Sequence, residues 1–184
     1  MKSRTSITDP LVIGTVPVGQ GAVGLTFCPG KQGDSVFGRP WARDLEADLD
    51  VIQKWGAAAV VTLIESHELT LLGVSDLGER IEARGMQWHH LPIVDLDAPG
   101  AEFEAAWRQV ADPLCQLLRE GQRVLVHCRG GRGRTGTVAA VMLIELGATP
   151  CEAMTQVRAV KPSAIENPTQ ERYVLGYQPV TVKT

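Results

Sequence analysis

The segment RVLVHCRGGRGRTGTVAAVMLIEL, residues 123–146, leaves this chain few folds to choose from. It passes from an apolar run, RVLVH, through a loop of glycine and arginine into a helix, from about Arg134 to Leu146, that is apolar nearly all round. A helix without a polar face has to lie at the centre of a fold. An apolar strand that feeds such a helix belongs to a parallel sheet covered on both faces.

The rest of the chain alternates in the same way. LVIGTVPV and GLTFC are short strand-like runs, and CPGKQGDSVFGRP is a turn-rich loop. Leu45, Leu49, Ile52 and Trp55 recur at helical spacing, with Asp44 placed to cap that helix and Gly56 to stop it. AAAVVTLI reads as a strand buried on both faces, SHELTLLG and DLGERIEARG as two short helices, and QWHHLPIV as another strand. Phe103, Trp107, Val110, Leu114 and Leu117 form one helical stripe, which Pro113 is expected to kink or to divide at Asp112. Thr149 and Glu152 make a capping box around Pro150, and Asn167-Pro168 with Gln170 opens a last helix. The expectation is an α/β fold: one domain over residues 1–184, with its core at about 24–178 and a central, mostly parallel sheet between two layers of helices. At 184 residues and 44% hydrophobic the chain can bury one real core but not two.

Charge excludes several classes of function. A net charge of −3 offers no general attraction to nucleic acid or to an anionic membrane, so any affinity for anions has to be local. That turns attention to Arg129, Arg132 and Arg134. Cys28, Cys115, Cys128 and Cys151 stand far apart with no C-x-x-C pair, and the four histidines lack metal-ligand spacing, so neither a disulfide framework nor a metal or other cofactor is expected. No segment reaches about eighteen uninterrupted apolar residues. The chain reads as cytoplasmic, without membrane insertion, and its oligomeric state is not legible.

Five residues separate Cys128 from Arg134: Arg129, Gly130, Gly131, Arg132 and Gly133. Glycines let a backbone curl its N–H groups inward into an anion-binding concavity between a strand and a helix N-terminus. Arg134 adds a planar fork of donors suited to two phosphate oxygens. A sulfur at the base of this loop is ionised by the same donors and is a nucleophile toward bound phosphorus. The glycines also satisfy G-x-G-x-x-G, the dinucleotide fingerprint, but the following segment is a capped helix rather than a strand ending in an acidic residue, and arginines would crowd the pyrophosphate.

HCRGGRGRTG resembles the signature of the cysteine-dependent protein tyrosine and dual-specificity phosphatases: His-Cys, five residues, Arg, Ser or Thr, Gly. The resemblance implies the fold of that family and hydrolysis of a phosphate monoester, with Cys128 forming a phosphocysteine, Arg134 binding the phosphate, Thr135 serving the departing sulfur and His127 orienting the loop. It also implies that residues 129–133 hold the substrate phosphate. The leaving oxygen needs a proton donor. In this family it is an Asp on a loop some thirty residues before the cysteine, where WHHLPIVDLDAPG offers Asp95 and Asp97. HHLPIVD is similar to the kinase-associated, cyclin-dependent-kinase-inhibitor type, which favours Asp95. LTFCPGKQ and WARDLEADLDVIQKWGAAAVVTLIESHEL extend that resemblance upstream. AIENPTQERYV departs from the family: Glu166 stands where a water-positioning glutamine is expected, and Gln170 comes only four residues later.

The implied substrate is a phosphotyrosine or phosphoserine/threonine protein. A phosphoinositide or another polyphosphorylated small molecule is the alternative, since Arg129 and Arg132 flank the loop. An inactive phospho-binding module stands third. The remaining candidates read as structural: Trp41, Trp55, Trp88 and Trp107 as core, Cys115 and Cys151 as small buried hydrophobes, and His89 and His90 as one packed and one exposed.

Overall fold

The computed structural model describes residues 2–35 and 38–181. Its main sheet has five strands: β1 (Gly14–Val18), β2 (Gly21–Phe27), β5 (Ala57–Thr62), β6 (Gln87–His90) and β7 (Arg123–Cys128). They lie in the order β1-β2-β7-β5-β6; β1 is antiparallel to β2, and every other neighbouring pair is parallel. Two short strands, β3 (Gln32–Gly33) and β4 (Trp41–Ala42), pair in a separate ribbon beside the carboxyl end of β2. In β5 and β7 buried residues alternate onto both faces, so both are covered, as the apolar runs required.

The covering helices form where the sequence signals place them. α1 (Leu45–Trp55) starts at Asp44, whose carboxylate accepts the Ala47 N–H at 2.9 Å, and ends at Gly56. α2 (Ser66–Leu71) and α3 (Leu77–Glu82) follow β5, and α4 (Ala101–Arg119) follows β6. α5 (Gly133–Glu145) is buried at every residue and is the central pillar of the fold. α6 (Pro150–Val160) carries the Thr149/Glu152 capping box, and α7 (Pro168–Gly176) is capped by Asn167. No helix among the described residues is long and apolar enough to cross a membrane.

Four expectations need correction. Pro113 does not divide α4. The proline and its neighbour Asp112 face solvent, and so does Gln109, whose carbonyl loses its helical partner to the proline and is left to water. Phe103, Trp107 and Ala111 on one side, and Leu114, Cys115 and Leu118 on the other, hold both halves against the core. At about 1.5–3 kcal/mol per buried large apolar side chain, that packing outweighs the roughly 3 kcal/mol cost of an internal proline. The buried face is also turned by about one residue from the expected stripe, for Val110 and Leu117 are only partly buried. The tryptophans are not all core: Trp107 is fully buried, Trp55 and Trp88 are partly buried and pack against the core, but Trp41 lies outside it. Cys151, expected to be buried, is exposed.

Candidate active site

The parallel strands β2, β7, β5 and β6 all deliver their carboxyl ends to one edge of the sheet, the edge where open α/β sheets bind ligands. Lys31 follows β2, Cys128 ends β7, Glu68 follows β5 and Asp95 follows β6. One cleft of about 370 Å³ opens there, with Cys128, Arg129, Arg132, Asp95, Lys31 and Trp41 among its walls.

At its base Cys128 is 4% exposed, and its Sγ accepts the Gly131 N–H at 3.3 Å. Of the three loop glycines only Gly131 has positive φ, at 67°. A Cβ there would stand 2.6 Å from the Thr26 carbonyl oxygen and the Phe27 nitrogen, so the loop is pressed against β2 and no side chain fits. Gly133 answers a different demand. A Cβ on it would lie 2.1 Å from a Glu166 carboxylate oxygen and 2.6 Å from the Gln170 amide nitrogen, so its bareness lets the start of α7 close over the loop. Gly130 and Arg132 are exposed, and Arg129 is half-buried.

Arg134 is 2% exposed. Its Nη1 donates to Glu68 Oε2 at 2.6 Å and to the Ile93 carbonyl at 3.0 Å, and its Nη2 to Glu68 Oε1 at 3.0 Å. The same Nη2 lies 2.8 Å from Asp95 Oδ1. Burial pushes the Glu68 carboxyl up, but the hydrogen bonds from Arg134 and the Glu65 N–H, with the charges of Arg134 and Arg129, leave it below its ordinary value. Glu68 thus holds the guanidinium by two oxygens, a role that the sequence reading missed. The available signal was chemical: an arginine placed at the buried start of a central helix must have a carboxylate partner.

The two candidate acids separate. Asp95 lines the cleft, with its side chain half exposed and one oxygen on Arg134. Asp97 is not among the lining residues, and its Oδ1 accepts the N–H of its neighbour Ala98 at 2.8 Å. Between them Leu96 takes positive φ, 63°, which turns the chain so sharply that the two carboxylates diverge. This loop is tied to α7: Asn167 Nδ2 donates to the Leu96 carbonyl at 2.8 Å and Gln170 Nε2 to that of Asp97 at 3.3 Å. Gln170, fully buried, therefore does more than help to cap a helix.

His127 is fully buried, with Nε2 2.7 Å from Thr62 Oγ1. Burial pulls its pKa down to about 3; the Cys128 backbone opposes this, while His90 and Arg134 add to it. It is a neutral ring that ties β7 to β5. The Thr135 hydroxyl, also fully buried, has no hydrogen-bond partner among the described residues. His89 and His90 are both partly buried rather than split between core and solvent; His90 stacks on Trp88 and bonds the Ile64 carbonyl at 2.8 Å. Near Cys128, burial pushes the Cys28 thiol far up, which keeps it unreactive.

Comparison with known proteins agrees with this geometry. The cyclin-dependent kinase inhibitor 3 of Rattus norvegicus is 29% identical over 135 residues, which cover 72% of this chain and 62% of that protein. The phosphatidylglycerophosphate phosphatase PTPMT2 of Arabidopsis thaliana is 38% identical over 128 residues, 69% of this chain and 53% of that protein. The chain thus spans less than two thirds of the length of these relatives. The crystal structure of kinase associated phosphatase with its catalytic-site cysteine changed to serine superposes with a TM-score of 0.77 at 24% identity, covering 89% of this chain and 92% of that one, and so shares the fold. Residues 36–148, well over half of the sequence, match the family described as polymorphic toxin system, DSP-PTPase phosphatase, and the chain belongs to that family.

Proposed function

We propose that the protein hydrolyses phosphate monoesters on phosphotyrosine, and on phosphoserine or phosphothreonine, in proteins through a phosphocysteine intermediate. The observation that carries this reading is that Cys128 and Asp95, from different elements, line one cleft, with the Arg134 guanidinium buried behind it 2.8 Å from Asp95. In the first step the Cys128 sulfur attacks phosphorus. The bond from phosphorus to the ester oxygen breaks, and Asp95 gives its proton to that oxygen. Loop residues 129–133 receive the phosphoryl oxygens, and Arg134, aligned by Glu68, takes two of them, displacing Asp95 from its Nη2. In the second step water attacks the phosphocysteine, Asp95 recovers a proton from that water, and the sulfur leaves with its electron pair. The unpartnered hydroxyl of Thr135 is free to donate to that sulfur. His127, neutral and locked to Thr62, sets the end of β7 from which Cys128 projects.

A second reading, hydrolysis of a polyphosphorylated small molecule, is favoured by the cations Lys31, Arg129, Arg132 and Lys161 on the cleft wall. A cytoplasmic location is supported by the four cysteines, all free thiols. The test uses purified protein and an aryl phosphate in excess EDTA. Turnover inhibited by vanadate, and abolished in Cys128→Ser while phosphotyrosine-peptide binding persists, is the expected result. Activity that survives Cys128→Ser overturns the mechanism, and a phosphoinositide preferred over every phosphopeptide replaces the main reading by the second.

A further inference from the structure

Besides Arg134, two cations are buried beside the cleft, and they are treated differently. Arg43, 2% exposed, is paired with both oxygens of Asp48 at 2.8 Å. Lys31, 5% exposed, has no carboxylate partner among the described residues. Its Nζ donates one hydrogen bond, to the Arg129 carbonyl at 3.1 Å, and lies 3.9 Å from the ring centre of Trp41 and 4.4 Å from that of Phe27. An ammonium has three donors, so two have no partner among the described residues, on a wall of the same cleft that holds Cys128. A buried cation is normally paired, and the aromatic faces replace only part of what a carboxylate supplies.

We propose that Lys31 is the seat of a second anionic group of the substrate, a carboxylate side chain next to the phosphorylated residue of a polypeptide. Placement puts the two groups side by side: the carbonyl under Nζ belongs to the residue that follows Cys128, and Phe27, whose ring the ammonium faces, pairs with Cys128 across β2 and β7. In a bound polypeptide the residues held beside that loop are those that flank the phosphorylated one. A single ammonium set against two aromatic faces suits one carboxylate, and Asp34, Asp95 and Glu166 offset part of the charge of Arg4, Arg129, Arg132 and Lys161 on the other walls. The charge on Lys31 is also held at a cost. Burial pulls its pKa down to about 8; the Cys28 and Cys128 sulfurs oppose this, while Arg4 and Arg43 add to it. A carboxylate on the free donors restores the charge.

This inference rests on Cys128 being the nucleophile, and the experiment keeps the two apart. Phosphotyrosine peptides with Glu or with Gln beside the phosphotyrosine are compared on wild type, Lys31→Met and Lys31→Arg. Wild type is expected to favour the acidic peptide about tenfold in kcat/KM, Lys31→Met to bring that ratio within about twofold, and Lys31→Arg to keep most of it. The same ratio is read as binding affinity on a Cys128→Ser background, so a failure of turnover refutes the phosphatase reading and leaves the Lys31 result standing on its own. Lys31→Gln replaces Lys31→Met if that variant does not fold. An unchanged ratio in the uncharged variant, or an equal loss on both peptides, overturns the proposal, the latter showing that Lys31 only packs. A Lys31-dependent preference for a soluble inositol bisphosphate over the acidic peptide overturns it in favour of a small-molecule substrate.

Discussion

Replacing Glu68 by Gln tests whether the alignment of Arg134 belongs to the catalytic design. The substitution keeps the shape of the side chain but removes its charge and sets an amide N–H against the Arg134 fork. Breaking a buried ion pair from one side typically costs about 3–5 kcal/mol, because the other charge is left uncompensated. Here Asp95, 2.8 Å from Nη2, and the Ile93 carbonyl, 3.0 Å from Nη1, remain as partners, so the lower end applies. A loss of about 3 kcal/mol, at roughly 2–4 °C per kcal/mol for a chain of this size, lowers Tm by about 6–12 °C. With the guanidinium no longer fixed by two bonds, kcat/KM on an aryl phosphate should fall by more than about tenfold, equivalent to ~1.4 kcal/mol of transition-state stabilisation. Calorimetry and steady-state kinetics on the same preparation measure both. A variant within about 2 °C and twofold of wild type would show that Glu68 neither supports nor aligns Arg134, and the reasoning would fail.

Three further outcomes are expected. Asp95→Asn should slow a phosphotyrosine peptide by about a hundredfold or more and an activated aryl ester much less, whereas Asp97→Asn should stay within a few-fold on both; the reverse pattern transfers the acid to Asp97. Because His127 titrates near 6.5 when unfolded and near 3 in the fold, only the unfolded chain binds its proton between those values, so its contribution is full above pH 6.5 and is lost as pH falls toward 3. That amounts to about 2 kcal/mol by pH 5, seen as a drop in urea midpoint from pH 7 to 5 that His127→Asn should reduce; a flat wild-type profile refutes it. Gly131→Ala forces a side chain into left-handed backbone against β2 and should lower stability by at least about 2 kcal/mol and turnover by more than tenfold; normal melting would show that the loop can withdraw.

What was legible in the sequence was local. Strand β7, its loop and α5 are consecutive, so their apolar pattern reveals the fold, and the glycines and arginines between them single out Cys128 as the candidate nucleophile. Asp44 and Gly56 bracket α1 by the same short-range logic. Partners brought together by the sheet were not legible: Glu68 is 66 residues from Arg134, and Lys31 is 98 from Arg129. Glu68 also has a local task, accepting the Glu65 N–H at the start of α2, which gives it the look of an ordinary capping residue. Trp41 was assigned to the core on residue type, yet its ring is only partly buried and lines the cleft, with the Lys31 ammonium 3.9 Å from its centre. The split between Asp95 and Asp97 depends on the backbone turn at Leu96, a conformation that leucine rarely adopts and no propensity announces.

The contact between Asp95 and Arg134 also bears on how the cycle ends. Asp95 sits on the fork proposed to receive the phosphoryl group, so inorganic phosphate would have to compete with a carboxylate tethered to the same molecule at the millimolar effective concentrations typical of short linkages. Substrate faces the same competitor, but it is bound through the rest of its chain as well. The free anion has no such additional hold. Self-competition of this kind taxes the product more than the reactant, so under the proposed mechanism the residue that gives up a proton in the first step would also clear the site by reclaiming the arginine.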